Sequence, residues 1–288
     1  MKTYRLYVKA FGTLNTFVLY GVYAQSALIQ IKQYLLLLDN LFSAFNPDSE
    51  ISLINQNAGK APVKVSTQTI QILKASVECS KLSEGAFDIT VGKMTKAWRS
   101  HKKALSFGSY DNIIINETEN SIFLQNKTLQ LDLGGIAKGY AINEVKQILR
   151  QYQIENAIIN LGGSVCIVGQ ERLVGIRNPF TTETTAINLS LKNETAVTSG
   201  IYEQYRLNKG KISHHILNPK NGRSAKTDLL SATVIDDDGA KADALATAFV
   251  VMGFKESTEF CKKHNTKAVF ILNNGNIFTT ENIKELIA

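Results

Sequence analysis

The segment Asp132-Leu133-Gly134-Gly135-Ile136-Ala137-Lys138-Gly139-Tyr140-Ala141 gathers the residue types that handle phosphate. A strand-like run ends in an acid, three glycines surround a lysine, and a helical pattern opens. Glycines let the backbone come close to a phosphate, while a helix N-terminus and a lysine add positive potential. The order meets neither the G-x-G-x-x-G dinucleotide fingerprint nor the P-loop, which ends in Lys-Ser/Thr. A glycine-rich strand-to-helix turn with no ligand uses the same residues, so the local pattern leaves both readings open.

Three further segments could carry chemistry. In Ala242-Asp243-Ala244-Leu245-Ala246-Thr247-Ala248, Asp243 and Thr247 are four apart and share a helix face. A carboxylate and a hydroxyl suit a hard cation, with phosphate oxygens completing the shell. The plainer account is an acid favoured by the helix macrodipole and a core-facing threonine. Ser213-His214-His215-Ile216-Leu217-Asn218-Pro219-Lys220-Asn221-Gly222 sets two histidines before a turn. Extended backbone sends neighbours to opposite faces, so at most one histidine lines a site. His101 and His264 lie among lysines and read as surface residues. Gly85-Ala86-Phe87-Asp88-Ile89-Thr90-Val91-Gly92 places an acid and an aromatic at a helix-to-loop exit, and Phe45, Ser49 and Asn55 lie in a loop after the first helix.

The elements that must position these groups alternate irregularly. Tyr4, Leu6 and Val8, then Leu14, Thr16 and Val18, flank Gly12-Thr13 and predict a hairpin. Residues 24–43 carry Leu28, Ile31, Leu35, Leu38 and Phe42 at helical spacing. A second helix runs from Thr67 to Ser83, with Ser66 as N-cap and Gly85 as stop. NIIIN, SIFLQ and LQLDL predict three short strands over 112–133, followed by a helix over Ile136–Gln151 and the strand AIINL. Short strands fill 165–235, among them VCIVG, LVGIR, INLSL and SATVI. A helix over Ala240–Met252, another over Glu256–His264, two strands and a last short helix complete the chain. Long helices among antiparallel-looking strands predict an α+β class rather than regular βαβ alternation. No Pro- or Gly-rich linker divides the chain, so one compact domain of two interleaved α/β lobes with mainly antiparallel sheets is expected over 1–288.

Bulk composition narrows the function classes. The 288 residues are 44% hydrophobic and 20% charged, with a formal net charge of +7. The positive excess suits an anionic ligand, but no run of like charges marks nucleic-acid binding. Cys79, Cys166 and Cys261 are odd in number and far apart, and read as free buried thiols. The N-terminus lacks the apolar core of a signal peptide, and Ala27–Leu38 is too short and polar to span a bilayer. The sequence as it stands is expected to be cytoplasmic, unless an export segment precedes it in a longer form.

Taken together, FSAFNPDSEISLIN, GAFDITVGKMTKAW, LDLGGIAKGYAIN, INLGGSV, AVTSGIYEQY, HHILNPKNG and ADALATAFVVMG resemble the ApbE family of FAD:protein FMN transferases. They run in family order from about residue 42 to 253. The resemblance implies that magnesium binds Asp243, Thr247 and the Ala137 carbonyl. It implies that Gly134, Lys138 and Tyr140 hold the FAD pyrophosphate and neighbouring parts, with Asp132 fixing the loop. Ala86, Phe87 and Asp88 would contact the flavin nucleotide, and Phe45 and Phe11 would pack on the isoalloxazine. His215 matches the family histidine and is the candidate for proton transfer, with Asp243 as the other candidate. Phe11 stands where the family often has Met. Asn218 replaces the Asp of H-x-x-D-P; it serves equally if that residue only caps the turn.

The implied reaction moves FMN from FAD to a Ser or Thr hydroxyl of an acceptor flavoprotein and releases AMP, with magnesium as cofactor. Two rivals use the same residues: a magnesium-dependent FAD pyrophosphatase, in which water replaces the hydroxyl, and a carrier that only binds FAD. A Rossmann oxidoreductase lacks both fingerprint and strand pattern.

Overall fold

A computed structural model of the chain describes residues 2–102, 107–181, 183–208 and 211–288. Its frame is an eight-stranded sheet built from β1 (Thr3–Ala10), β2 (Thr13–Tyr20), β3 (Asn156–Leu161), β4 (Ser164–Val168), β5 (Thr195–Gly200), β6 (Leu229–Asp236), β7 (Lys267–Leu272) and β8 (Ile277–Thr279). These strands neighbour one another in chain order, and every pairing is antiparallel. The sheet is therefore a long meander whose connections have been expanded, which gives the α+β class.

The largest insertion, between β2 and β3, carries α1 (Ala24–Phe42), α2 (Glu50–Gln56), α3 (Thr67–Leu82), α4 (Gly92–Arg99) and α5 (Ala137–Gln151), with a small three-stranded sheet. Apolar residues at helical spacing explain α1, whose Leu28, Ile31, Leu35, Leu38 and Phe42 are all buried. They join Phe17 and Leu19 of β2 and Ile142 and Val145 of α5 in one core. α3 starts as expected on Ser66, whose side chain accepts from the Thr69 N–H.

α6 (Gly239–Met252) and α7 (Phe254–His264) fill the connection between β6 and β7. Asp238 caps α6 by accepting from the N–H groups of Ala240 and Lys241. Ala242, Leu245, Ala246 and Phe249 of α6 pack with Ala232 and Val234 of β6. Ile235 points to the opposite face, into a third core closed by the hairpin Arg172–Arg177/Thr185–Leu191 and the C-terminal 3-10 turn Glu281–Leu286. α6 is apolar nearly all round because neighbours enclose it, α5 among them. No described helix is long and apolar enough to cross a membrane. The three cysteines are free and buried, and burial pushes the Cys79 and Cys261 thiols up to about 12, far from nucleophilic use.

Two local expectations are corrected. LQLDL is not a ladder strand; it makes one isolated bridge, between Gln130 and Val91. The Asn55 amide takes both backbone groups of Leu131, at 2.6 and 3.0 Å, and Asp132 N–H donates to the Ile89 carbonyl at 2.8 Å. A side chain and a loop thus satisfy the backbone that a neighbouring strand would otherwise pair. Ser49 and Asn55 belong to α2, which Ser49 caps through the Ser52 N–H at 3.0 Å. The helix-to-loop exit read for Gly85–Gly92 is present: the chain leaves α3 at Leu82, and α4 opens only at Gly92.

Candidate active site

The insertions converge on a cavity of about 690 Å³. It lies between the β1–β2 turn, the C-terminal end of α1, the loop after α3, the start of α5, β5, and one face of α6. Phe11, Phe45, Ala86, Phe87, Asp88, Asp132, Gly134, Ala137, Lys138, His215, Asp243 and Thr247 all line it. Tyr140 does not. Its ring is 7% exposed in the core, edge-on to Phe42 at 5.7 Å. A helix turns by about 200° over two residues, so with Lys138 at the cavity Tyr140 faces inward.

The floor is a crossing of α5 and α6 at two glycines. A Cβ on Gly139 would sit 2.0 Å from the Gly239 carbonyl oxygen, and one on Gly239 would sit 2.6 Å from that of Gly139. Gly139 therefore serves helix packing, while Gly134 and Gly135 form the loop facing the cavity. The crossing brings Asp243 beneath that loop, where its Oδ2 accepts the Gly139 N–H at 3.0 Å. Lys138 Nζ stands 3.9 Å from the same oxygen. Thr247, one turn on along α6, shares a hydrogen bond with Ser199 Oγ of β5 at 3.1 Å. Asp132 holds the loop by accepting the Gly134 N–H at 2.9 Å.

The paired histidines separate as extended backbone requires. His214 is buried, with Nε2 against the Ala225 carbonyl at 3.0 Å. His215 faces the cavity, and its Nδ1 lies 3.1 Å from the Gln204 carbonyl. A carbonyl only accepts, so that contact assigns the proton to Nδ1 and leaves Nε2 as the lone-pair nitrogen. Burial holds the His215 imidazole below its ordinary value, and His214, Lys138 and Arg99 add to the lowering, against the opposing Gln204 bond. Neutral imidazole at neutral pH follows.

Asp88 is spent on structure as well as lining the wall. Its Oδ1 accepts from Thr90 N–H and Oγ1 at 2.8 and 2.7 Å, and its Oδ2 from Tyr110 N–H at 3.1 Å. Burial raises its carboxyl while these bonds oppose the rise. Phe45 is 63% exposed at the mouth, with the Arg99 guanidinium 4.6 Å from its ring centroid. Asn218 caps its turn by accepting the Lys220 N–H at 2.9 Å, a role an amide fills as well as a carboxylate.

Sequence reasoning missed Arg99, Ser199 and Glu203, which also line the cavity. Protein surrounding Glu203 raises its carboxyl, with Lys138 and Arg177 opposing. Ser199 and Glu203 lie within the AVTSGIYEQY segment, but no spacing rule separates them from their neighbours; Arg99 ends α4, a helix not predicted from the sequence.

The sequence model of the ApbE family matches residues 11–271. The FAD:protein FMN transferase of Klebsiella pneumoniae is 33% identical over 261 residues, covering 86% of this chain and 81% of its own. That of Treponema pallidum is 30% identical over 263 residues, covering 80% and 73%. Among solved structures, the ApbE protein of Thermotoga maritima superposes with a TM-score of 0.91 at 27% identity over the whole of both chains. The flavin transferase ApbE of Vibrio cholerae shares the fold, with a TM-score of 0.84 at 22% identity over 99% of this chain and 100% of its own. A family match across most of the length, on this fold and with the family's segments meeting in one cavity, makes the chain a member of the ApbE family.

Proposed function

We propose that the chain is a magnesium-dependent FAD:protein FMN transferase, which moves FMN from FAD to a Ser or Thr hydroxyl of an acceptor protein and releases AMP. The observation that carries this reading is the meeting, in one cavity, of the His215 imidazole, held through Nδ1 at the Gln204 carbonyl, with the oxygen donors Asp243 and Thr247. The names of the relatives support the reaction class.

The donor set fits magnesium. Among the described residues no cluster of three His, Cys, Asp or Glu side chains could form an all-protein cage. Magnesium instead takes one or two carboxylates with phosphate oxygens and waters, and Asp243, Thr247 and the Ala137 carbonyl are oxygen donors of that kind. Bound there, the ion would supply neutralisation of pyrophosphate charge.

The chain's own groups divide the remaining work. Lys138 and the start of α5 face the pyrophosphate with positive potential. Phe11 and Phe45 offer rings to the isoalloxazine at the mouth. The acceptor oxygen attacks the phosphorus on the FMN side, forming a phosphoester as the bridging P–O bond breaks. AMP departs with the bridging oxygen. His215 Nε2 accepts the hydroxyl proton, a contribution of about 10²–10⁴-fold in rate.

Mass spectrometry of an acceptor domain, incubated with the protein, FAD and magnesium, tests the reading. A gain equal to FMN less water, abolished by EDTA, is expected. Conversion of FAD to AMP and free FMN with no gain on any acceptor would replace transfer by hydrolysis. Intact bound FAD would leave only a carrier.

A further inference from the structure

The connection from β5 to β6 contains a free-standing hairpin, Tyr205–Asn208 paired with Lys211–His214. His215 extends its ladder by one rung, donating its N–H to the Gln204 carbonyl at 3.0 Å. Antiparallel rungs alternate, so the pairs 204/215 and 206/213 exchange hydrogen bonds, and Tyr205 and Leu207 turn their N–H and C=O outward. On the second strand the outward carbonyl of His214 is taken by Ser224 Oγ at 2.7 Å. On the first strand the outward groups of Tyr205 and Leu207 have no partner among the described residues.

The two faces of the hairpin differ as sharply as its two edges. Arg206 lies over the Trp98 ring, 4.3 Å from its centroid, and donates to the carbonyls of Trp98 and Arg99 at the end of α4. Trp98 Nε1 donates to Ser213 Oγ at 2.9 Å. The hairpin is thus braced against α4. On the other face Tyr205 and Leu207 are 55% and 73% exposed. An open, apolar edge strand is what soluble proteins ordinarily blunt, because it templates pairing with another chain.

We propose that this edge docks an extended segment of the acceptor protein, added as a third strand beside Tyr205–Asn208. The proposal rests on the transferase reading and names how that site takes its second substrate. Continuity with the cavity identifies the occupant. Glu203 and Gln204, immediately before the same strand, line the cavity, and the Gln204 carbonyl holds His215. A strand paired at Leu207 therefore reaches the cavity mouth about 10 Å further on, three residues at ~3.3 Å each. Backbone pairing fixes the register that delivers one hydroxyl to Nε2, and the Tyr205 and Leu207 side chains offer the apolar contacts.

Leu207→Pro tests this, because it deletes an outward N–H that the hairpin's own ladder does not use and that proline tolerates at a strand edge. The probe is a synthetic peptide spanning the labelled hydroxyl of an acceptor. The expected result is a KM for the peptide raised about three- to tenfold, the worth of a backbone hydrogen bond, with kcat and FAD affinity unchanged. A second measurement needs no change to the protein: N-methylating the peptide backbone one residue at a time should weaken labelling at alternate positions only. Unchanged KM in the variant, or N-methylation without alternation, overturns the docking edge alone. No labelling by the unaltered protein overturns the transferase reading and the edge with it. A dimer lost in Leu207→Pro by light scattering, with labelling unchanged, would give the edge to a second copy of this chain and overturn acceptor docking.

Discussion

Gly139→Ala separates two meanings of the glycine-rich segment. In a solvent-exposed helix this change stabilises by about 1 kcal/mol, since alanine is the better helix former. Here the added methyl would lie 2.0 Å from the Gly239 carbonyl oxygen, 2.6 Å from its carbon and 2.8 Å from the Asp243 Cβ. Two of these are backbone atoms in a helix, so no rotamer change relieves them. α5 and α6 must move apart by roughly 1 Å, a gap that forfeits a quarter to a half of the dispersion attraction of the atoms it parts. Overpacking of this kind costs about 1–3 kcal/mol and occasionally more. With obstruction by backbone on one side, the upper part of that range applies, and a net loss of about 2 kcal/mol remains after the propensity gain. At about 2.1 cal/mol/K of unfolding entropy per residue, a chain of 288 residues loses about 3 °C in Tm. Differential scanning calorimetry reads it, with Gly134→Ala alongside. The Gly134 methyl would meet only Asp132 Oδ1, at 3.2 Å, a side-chain atom that can give way, so that variant should melt close to the parent. If Gly139→Ala melts at or above the parent temperature, the glycine is not there for the helix crossing and the packing argument fails.

Other outcomes follow from the same geometry. Asp243→Asn keeps an oxygen for the Gly139 N–H, so it should fold normally while labelling falls at least about a hundredfold; full activity with unchanged magnesium dependence would sink the metal assignment. His215→Ala should bind FAD normally and label about 10²–10⁴-fold more slowly. Because the imidazole is held below its ordinary value, the base form is lost only as pH falls beneath the usual histidine range. The acid limb of kcat/KM should therefore lie there and vanish in the alanine variant; a limb above that range would contradict the assignment. Phe45→Ala, at a 63% exposed position, should leave Tm nearly unchanged and weaken FAD binding by up to about tenfold, the worth of a stacked ring, in a fluorescence titration. Tyr140→Phe should leave FAD affinity unaltered, and a clear loss would return Tyr140 to the cavity wall.

What the sequence determined by itself is local and periodic. The one-faced apolar spacing of α1 and α3, the Ser66 cap and the Gly12-Thr13 hairpin each depend on residues within one or two turns of each other. Their backbone hydrogen bonds close inside the same segment, so the pattern is sufficient. Asp243 and Thr247 were legible for the same reason, since four residues on a helix make one face. The resemblance then supplied which separate segments belong together.

Tertiary structure decided everything that depends on which backbone lies next to which. LQLDL has a strand's composition, yet the Asn55 side chain, far away in sequence, satisfies Leu131 in place of a neighbouring strand. Gly139 looks like part of a phosphate loop until α6 crosses it, and nothing within α5 announces that Gly239 will arrive there. Tyr140 sits in a ligand-like motif, but the pitch of α5 turns it into the core. Arg99, Ser199 and Glu203 reach the cavity only because α4, β5 and the loop after it are brought around one opening. Side-chain type fixes what a residue can do, but the address at which it does so is set by contacts between distant segments, and those exist only once the sheet has closed its meander.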